Sequence, residues 1–306
     1  MTHSPLRLLA PAKVNLYLEV VGKRPDGYHD LKMLMAPVSL FDELTLERLD
    51  EPGRIEVVSD GSPHVESGEK NLCHRAARFY FEETGAPGGV RVRVDKQIPV
   101  GAGLGGGSSD AAVTILGLEA LFGVPLTAEG RARAAFRVGA DVPFFFARSA
   151  AWVEGIGEAV RPLPAFDPFW LVIVHPGVFL STAAVFSRFT MGLTSPGPVP
   201  MITDLRFQAF VEGLRNDLEA PAAALEPEVG RVLEALRATG APGVLMSGSG
   251  SAAFGLFPDE GAARRAASGL SKHPWAAGWR VAAARTLSPG SFPFVRSTAH
   301  WGVDKR

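Results

Sequence analysis

Two hydrophobic periods alternate along this chain, and they divide it into predicted strands and helices. Residues 6–21 read as strand material broken at Pro11. Beyond the break Val14, Leu16 and Leu18 fall on one face while Lys13, Asn15, Tyr17 and Glu19 share the other, wet face, so Lys13 and Asn15 point the same way. Residues 33–49 and 54–58 alternate as two further strands, and Pro25-Asp26-Gly27 reads as a tight turn. The spacing of Leu72, Ala76, Phe79 and Tyr80 predicts a helix over 71–84 that ends at Gly85. Residues 90–95 alternate valine with charged residues, the mark of a strand wet on one face. Helices are predicted over 109–121 and 127–138, a hairpin over 152–160, and a junction where Pro162, Pro164 and Pro168 cluster. Further on come a buried strand over 170–175, a helix opening at 182–188 and a proline-rich loop over 194–201. Then follow helices over 207–224 and 228–239, a hairpin over 244–257 with its tip at 248–251, a helix over 260–269 and a strand over 279–285. The tail, 288–306, is rich in Pro, Ser and Gly and reads as an appendage.

Between the strand over 90–95 and the helix over 109–121 lies Pro99-Val-Gly-Ala-Gly-Leu-Gly-Gly-Gly-Ser-Ser109. Gly101, Gly103, Gly105, Gly106 and Gly107 let backbone approach an anion without an intervening Cβ, and Ser108, Ser109 and Asp110 suit the first turn of the helix. The unpaired N–H groups of a helix start attract phosphate. The bland alternative, a tight turn with no ligand, leaves five glycines unexplained, each costing about 0.5–1 kcal/mol relative to Ala in regular structure. A Walker A loop is excluded because no Lys follows the last glycine. A dinucleotide fold is excluded because its first strand is apolar on both faces and an acidic residue follows about 20 positions on. Asp141, in Gly139-Ala-Asp-Val-Pro-Phe144, is a lone carboxylate in apolar surroundings that fits either a solvated loop or a base.

Composition narrows the class further. The chain has 306 residues, 46% of them hydrophobic and 21% charged, with a formal net charge of −1. That is ordinary for a globular protein and supplies no general attraction to nucleic acid or membrane. Its one cysteine, Cys73, cannot form an internal disulfide, and no Cys/His spacing suggests zinc, which fits a reducing cytoplasm. Pro11 and Lys13 interrupt the short apolar run near the start, so no signal peptide is expected.

Three stretches together, Pro11-Ala-Lys-Val-Asn-Leu16, Pro99 to Ser109 and Met246-Ser-Gly-Ser-Gly-Ser-Ala-Ala-Phe254, resemble the three motifs of the GHMP kinases. Arg24-Pro-Asp-Gly-Tyr-His29, Gly139 to Phe144, Gly155-Ile-Gly-Glu158 and His175-Pro-Gly177 followed by Thr182 resemble the branch whose acceptor is a cytidine-diphosphate-linked methylerythritol. The resemblance spans about residues 8–289. It implies a two-domain α+β fold, with a domain resembling ribosomal protein S5 domain 2 over 1–161, a ferredoxin-like domain over 162–287, the active site in the cleft between them, and the tail outside. It implies transfer of the γ-phosphoryl of ATP to a hydroxyl of the acceptor, with Mg2+ expected and the small-molecule acceptor as the binding partner of a monomer or weak homodimer.

Matched position by position, Lys13 and Asp141 are the expected catalytic pair, Asp141 as proton acceptor and Lys13 polarising the hydroxyl. Pro99, Val100, Gly101, Ala102, Gly103, Leu104, Gly105, Gly106, Gly107, Ser108 and Ser109 form the expected ATP cradle, with Asn71 and Lys96 near the adenine. Tyr28, His29 and Phe186 match cytosine-binding positions; Asn15 and Thr182 match contacts to the polyol. In this picture Tyr28 and Phe186 stack on the two faces of the cytosine and His29 meets its edge. The segment from Thr182 to Phe186 departs from the family in lacking a proline, and no glutamate in a motif partners Ser109 as a magnesium ligand. Two other readings compete: a homoserine or mevalonate-type kinase of the same superfamily, and a non-catalytic nucleotide- or RNA-binding protein of the S5-like fold. The Lys13 and Asp141 pair and the absence of a basic excess stand against the second.

Overall fold

The computed structural model describes residues 4–60, 68–190 and 205–289. Two long strands open the chain, β1 (Leu6–Lys23) and β2 (His29–Leu49), paired antiparallel across a turn where Gly27 takes a φ of +88°. Next come β3 (Ile55–Asp60), α1 (Leu72–Thr84), β4 (Gly89–Asp95), α2 (Gly106–Phe122), α3 (Ala128–Arg137), α4 (Val142–Phe146), β5 (Ala151–Gly155) and β6 (Ala159–Pro162). Local chemistry explains several boundaries. Asn71 caps α1 by accepting from Cys73 N at 2.8 Å, Thr127 caps α3 through Gly130 N, and α1 stops at Gly85 with a φ of +63°. The second half holds β7 (Trp170–His175), α5 (Thr182–Arg188), α6 (Phe207–Glu212), β8 (Arg215–Asn216), α7 (Glu219–Leu225), α8 (Pro227–Ala238), β9 (Gly243–Met246), β10 (Ala253–Phe257), α9 (Glu260–Leu270) and β11 (Arg280–Arg285).

Among the described residues the strands form two sheets. The first runs β3-β4-β2-β1-β8, with β5 joined to β2 and β6 to β5. β2 organises it, pairing with β5 over Leu31 to Met35 and with β4 over Glu43 to Leu49. The second runs β11-β7-β10-β9, all antiparallel, with α8 and α9 packed on it. In chain order that is fourth, first, third, second, the ferredoxin-like arrangement. Period-two alternation gives this sheet two apolar faces: Val172 and Val174 share a core with residues of α8 and α9, while Leu171, Ile173, Phe254 and Leu256 join a core with Val14, Leu16 and Tyr17 of β1. We propose the division near residue 161 as a boundary of packing, not of separate cores.

Three expectations are corrected. The first strand is not broken: β1 runs through Pro11, which sits beside a register shift, the kind of irregularity at which a strand tolerates proline. A second shift between Asn15 and Tyr17 moves Tyr17 into the core with Val14 and Leu16 and sends Leu18 to the opposite core with Val20, because one extra residue reverses every side chain beyond it. The face carrying Lys13 and Asn15 is also dry, since the second half of the chain covers it. Second, α2 begins at Gly106, with Gly105 as N-cap in the left-handed region and its carbonyl accepting from Ser109 N, so Ser108, Ser109 and Asp110 lie inside the helix. Third, the helix expected over 207–224 is interrupted by β8. Asn216 Nδ2 donates to the Met246 and Gly248 carbonyls, both at 2.8 Å, and Asp217 Oδ2 accepts from Val20 N at 3.0 Å, tertiary bonds that outweigh helical continuity. The loop expected over 194–201 and most of the tail, 290–306, lie outside the described residues.

Candidate active site

β1, the glycine loop and the turn between β9 and β10 meet at one point. Lys13 N donates to the Leu104 carbonyl at 2.9 Å, tying strand to loop. Ser247 Oγ accepts from Asn15 N at 3.2 Å and donates to the Gly103 carbonyl at 3.0 Å, and Ala252 N donates to the Ala102 carbonyl. Gly101, Gly103 and Gly105 all have φ between 67° and 75°. A Cβ at Gly103 would collide with the Ser247 carbonyl, and one at Gly101 would stand 2.6 Å from the Phe179 ring. These two glycines are therefore required by the protein's own packing as well as by any ligand.

Beside the loop lies a cavity of about 600 Å³, bordered by every residue from Pro99 to Ser108 and, at its other end, by Asn71, Leu72, Cys73 and Lys96. The first N–H groups of α2 open on this side, with the positive end of the helix dipole behind them. Ser109 does not border the cavity; it is fully buried, and its Oγ has no hydrogen-bond partner. Asn71 and Lys96 do reach it, but the Lys96 ammonium is already engaged by two buried carboxylates, Asp42 and, at 2.7 Å, Asp110. Burial opposes the charge on Lys96, but the two carboxylates outweigh it and raise its pKa. Asp42 Oδ1 also accepts from Gln97 N and Ile98 N, which fixes the start of the loop. Sequence reasoning missed Asp42 and the pairing of Asp110, since nothing local marks a bond between residues 54 apart.

At the centre of the cleft Lys13 is only 4% exposed and donates from Nζ to Asn15 Oδ1. Asp141 stands at the N-cap position of α4, which Phe144 and Phe145 anchor in the core. Its side chain makes no capping bond; Oδ2 lies 3.6 Å from Lys13 Nζ. Burial lowers the Lys13 pKa, and Asp141 partly restores it. A cavity of about 400 Å³ opens here, lined by Lys13, Asn15, Asp141, Thr182, Gly248 and Ser249 among others. It adjoins a third cavity, of about 770 Å³, walled by Tyr28, His29, Asp141, Ile156, Thr182 and Phe186. Thr182 borders all three cavities, and its hydroxyl is 2.8 Å from Ser249 Oγ.

In the third cavity Tyr28 is 62% exposed, while Phe186 stacks on His29 with centroids 4.8 Å apart and planes at 21°. The imidazole therefore covers a face of Phe186 instead of standing apart from it. Burial, and secondarily Lys23, lower the His29 pKa, leaving a neutral ring with one donor and one acceptor nitrogen at neutral pH. Among the described residues no group of three or more His, Cys, Asp and Glu side chains could hold a metal, and no helix is long and apolar enough to cross a membrane.

Known proteins match this arrangement throughout. Residues 71–148 match the model of the GHMP kinases N terminal domain, and residues 201–274 that of the GHMP kinases C terminal domain. The chain is 45% identical over 284 residues to the 4-diphosphocytidyl-2-C-methyl-D-erythritol kinase of Geobacter sp. (strain M21), covering 92% of this chain and 99% of that protein. A crystal structure of 4-(cytidine 5'-diphospho)-2C-methyl-D-erythritol kinase superposes with a TM-score of 0.74 at 42% identity, covering 92% of this chain and 99% of that one. Homoserine kinase from Cytophaga hutchinsonii superposes equally well, with a TM-score of 0.74 over 94% of this chain and 96% of that one, at only 20% identity, so it shares the fold. With its motifs joined at one cleft and nine-tenths of its length aligned, the chain belongs to the 4-diphosphocytidyl-2-C-methyl-D-erythritol kinase family of the GHMP kinase superfamily.

Proposed function

We propose that this chain transfers the γ-phosphoryl of ATP to the 2-hydroxyl of 4-diphosphocytidyl-2-C-methyl-D-erythritol, giving the 2-phosphate and ADP, in non-mevalonate isoprenoid precursor synthesis. The observation that carries this reading is the succession of three adjoining cavities with Lys13 and Asp141 at the middle one and Thr182 common to all. The cavity along the glycine loop takes the nucleotide, its phosphates toward the start of α2 and its adenine toward Asn71, Leu72 and Lys96. The aromatic cavity takes the cytidine, against Tyr28 and the stacked Phe186 and His29. The polyol crosses between them, within reach of Asn15 and Thr182.

Phosphoryl transfer asks for positioning and charge neutralisation, plus one acceptor for the hydroxyl proton. Asp141 is the carboxylate at the junction and takes that proton; Lys13, buried beside it, presents positive charge where the transferring group must pass. Burial of Lys13 keeps water from screening that charge. Mg2+ prefers oxygen donors and needs few from a protein when a triphosphate supplies the rest. Of the two serines only Ser108 borders that cavity, and its hydroxyl fits such an ion and would hold it, whereas Ser109 Oγ is buried away from it. Bound there, it would neutralise phosphate charge.

The test is ATP consumption by the purified chain with the cytidylated polyol, homoserine or mevalonate as acceptor. Turnover is expected with the first alone. Turnover with homoserine or mevalonate instead would reassign the acceptor, and none with any would leave a nucleotide-binding protein. Asp141→Asn keeps the shape and removes the proton acceptor, so turnover should drop by about 10²–10⁴-fold with ATP binding retained; near-normal turnover would remove Asp141 from that role.

A further inference from the structure

The turn closing the β5–β6 hairpin, Gly155-Ile-Gly-Glu158, makes none of the ligand contacts described above except for Ile156 at the cavity wall, yet it lies directly behind the reacting carboxylate. Gly157 is buried, with a φ of +135°, and a Cβ there would collide with the carbonyl of Ala140, the residue before Asp141. Only glycine lets these two backbones meet. Glu158 folds back over the turn, its Oε2 accepting from Ile156 N at 2.8 Å and Gly157 N at 3.1 Å. Gly155, with a φ of +75°, leaves space for that carboxylate, which a side chain would occupy. The hairpin is in turn clamped to β2 by pairing from Leu31 with Gly155 to Met35 with Ala151. A rigid path thus runs from the central strand of the sheet through the turn to the backbone that carries Asp141.

Asp141 needs that support. Its side chain caps nothing, and among the described residues its one ion pair, to Lys13, is 3.6 Å long, so the place of the carboxylate is set by the backbone of 139–141. We propose that Glu158, acting through the contact of Gly157 with Ala140, is a positioning residue that holds the Asp141 carboxylate at the acceptor hydroxyl. The inference rests on Asp141 being the proton acceptor. A misplacement of about 1 Å at a reacting group can cost about 10²-fold in rate, so loosening the turn should register in kcat.

Three variants test it, with turnover, both Michaelis constants and Tm measured on the full chain. Glu158→Ala, which leaves Ile156 N without its acceptor and Gly157 N with only the Glu154 carbonyl at 3.3 Å, should lower kcat by about 10- to 100-fold with KM for ATP within about twofold of wild type. Glu158→Gln, whose amide oxygen can still accept both bonds, should recover most of that loss. In an Asp141→Asn background, Glu158→Ala should lower the residual rate by no more than about twofold, since residues acting through one group are not additive. Should Glu158→Ala fold poorly, Glu158→Asp, with its reach shortened by one methylene, takes its place in the same comparison. An unchanged kcat in Glu158→Ala, no rescue by Gln, or an equal fold-loss with and without the Asp141 carboxylate would overturn the inference. Near-normal turnover in Asp141→Asn itself would instead overturn the role of Asp141.

Discussion

At the scale of single residues, the site is built from groups whose burial works against their charge. Lys13 is the clearest case: it sits under the second half of the chain with Asn15 and Asp141 as polar neighbours, and burial lowers its pKa from the usual 10.5. Where a folded lysine has the lower pKa, the unfolded chain binds the extra proton, so the stability deficit is full below the folded pKa and vanishes above 10.5. Lys13→Met removes this linkage. The variant should be inactive, and its Tm measured against wild type should be most favourable near neutral pH and lose ground as the pH rises toward 10.5. A Tm difference that does not vary with pH would place the lysine in contact with water. The acceptor pocket makes a second residue-level claim. Phe186→Ala removes an aromatic face and unseats the stacked His29, so the apparent Kd for the cytidylated acceptor should rise by about 5- to 150-fold while that for ATP holds. Normal acceptor affinity in isothermal titration would move the cytosine elsewhere.

At the scale of elements, the start of the glycine loop hangs on a buried triad contributed by β2, the segment after β4, and α2. Asp42 has three donors, the Lys96 ammonium and two backbone N–H groups, whereas Asp110 has Lys96 alone and one oxygen without a partner. Burial pushes the Asp110 pKa up to about 8, with Lys96 pulling it down and Asp42 adding to the rise. A carboxyl raised on folding contributes stability that is complete below its ordinary 3.8 and is lost as the pH climbs through about 8. Asp110→Asn, which copies the neutral acid, should therefore flatten the decline of Tm between about pH 5 and 9. Parallel Tm curves for the two proteins across that window would show Asp110 ionised throughout. The same triad explains why a lysine expected beside the adenine is first of all a structural group.

At the scale of the whole molecule, the two halves share a core and cannot be separated without opening it. Phe169, Leu171, Ile173, Phe210 and Phe254 pack with Val14, Leu16, Tyr17 and Leu34, β8 adds to the first sheet, and Val38 bridges to Thr286. Scanning calorimetry should accordingly record one transition whose van't Hoff and calorimetric enthalpies agree, with no separate step for residues 162–287. Two resolved transitions would mean that the cleft is a junction between independent domains. The continuity also reaches the candidate site, because the glycine loop is bonded to the turn after β9 through Ser247 and Ala252.

Much of this protein was legible in its sequence because the relevant physics is local. The glycine run, the helices expected over 71–84 and 127–138, the alternating strand over 90–95 and the hairpin over 244–257 each depend on neighbours a few residues away, and each stands close to where its pattern put it. Asp141 shows the limit: its local setting fitted a solvated loop as well as a base, and only the tertiary placement of α4, packed on α2 and α3, sets it beside Lys13. The pairing of Lys96 with Asp42, the split of the helix expected over 207–224, the reversal of Leu18 across a bulge and the turn behind Ala140 all belong to the tertiary structure alone. Each is decided by bonds between residues distant in sequence, where a buried donor or carboxylate must find a partner and local propensity gives way to that demand.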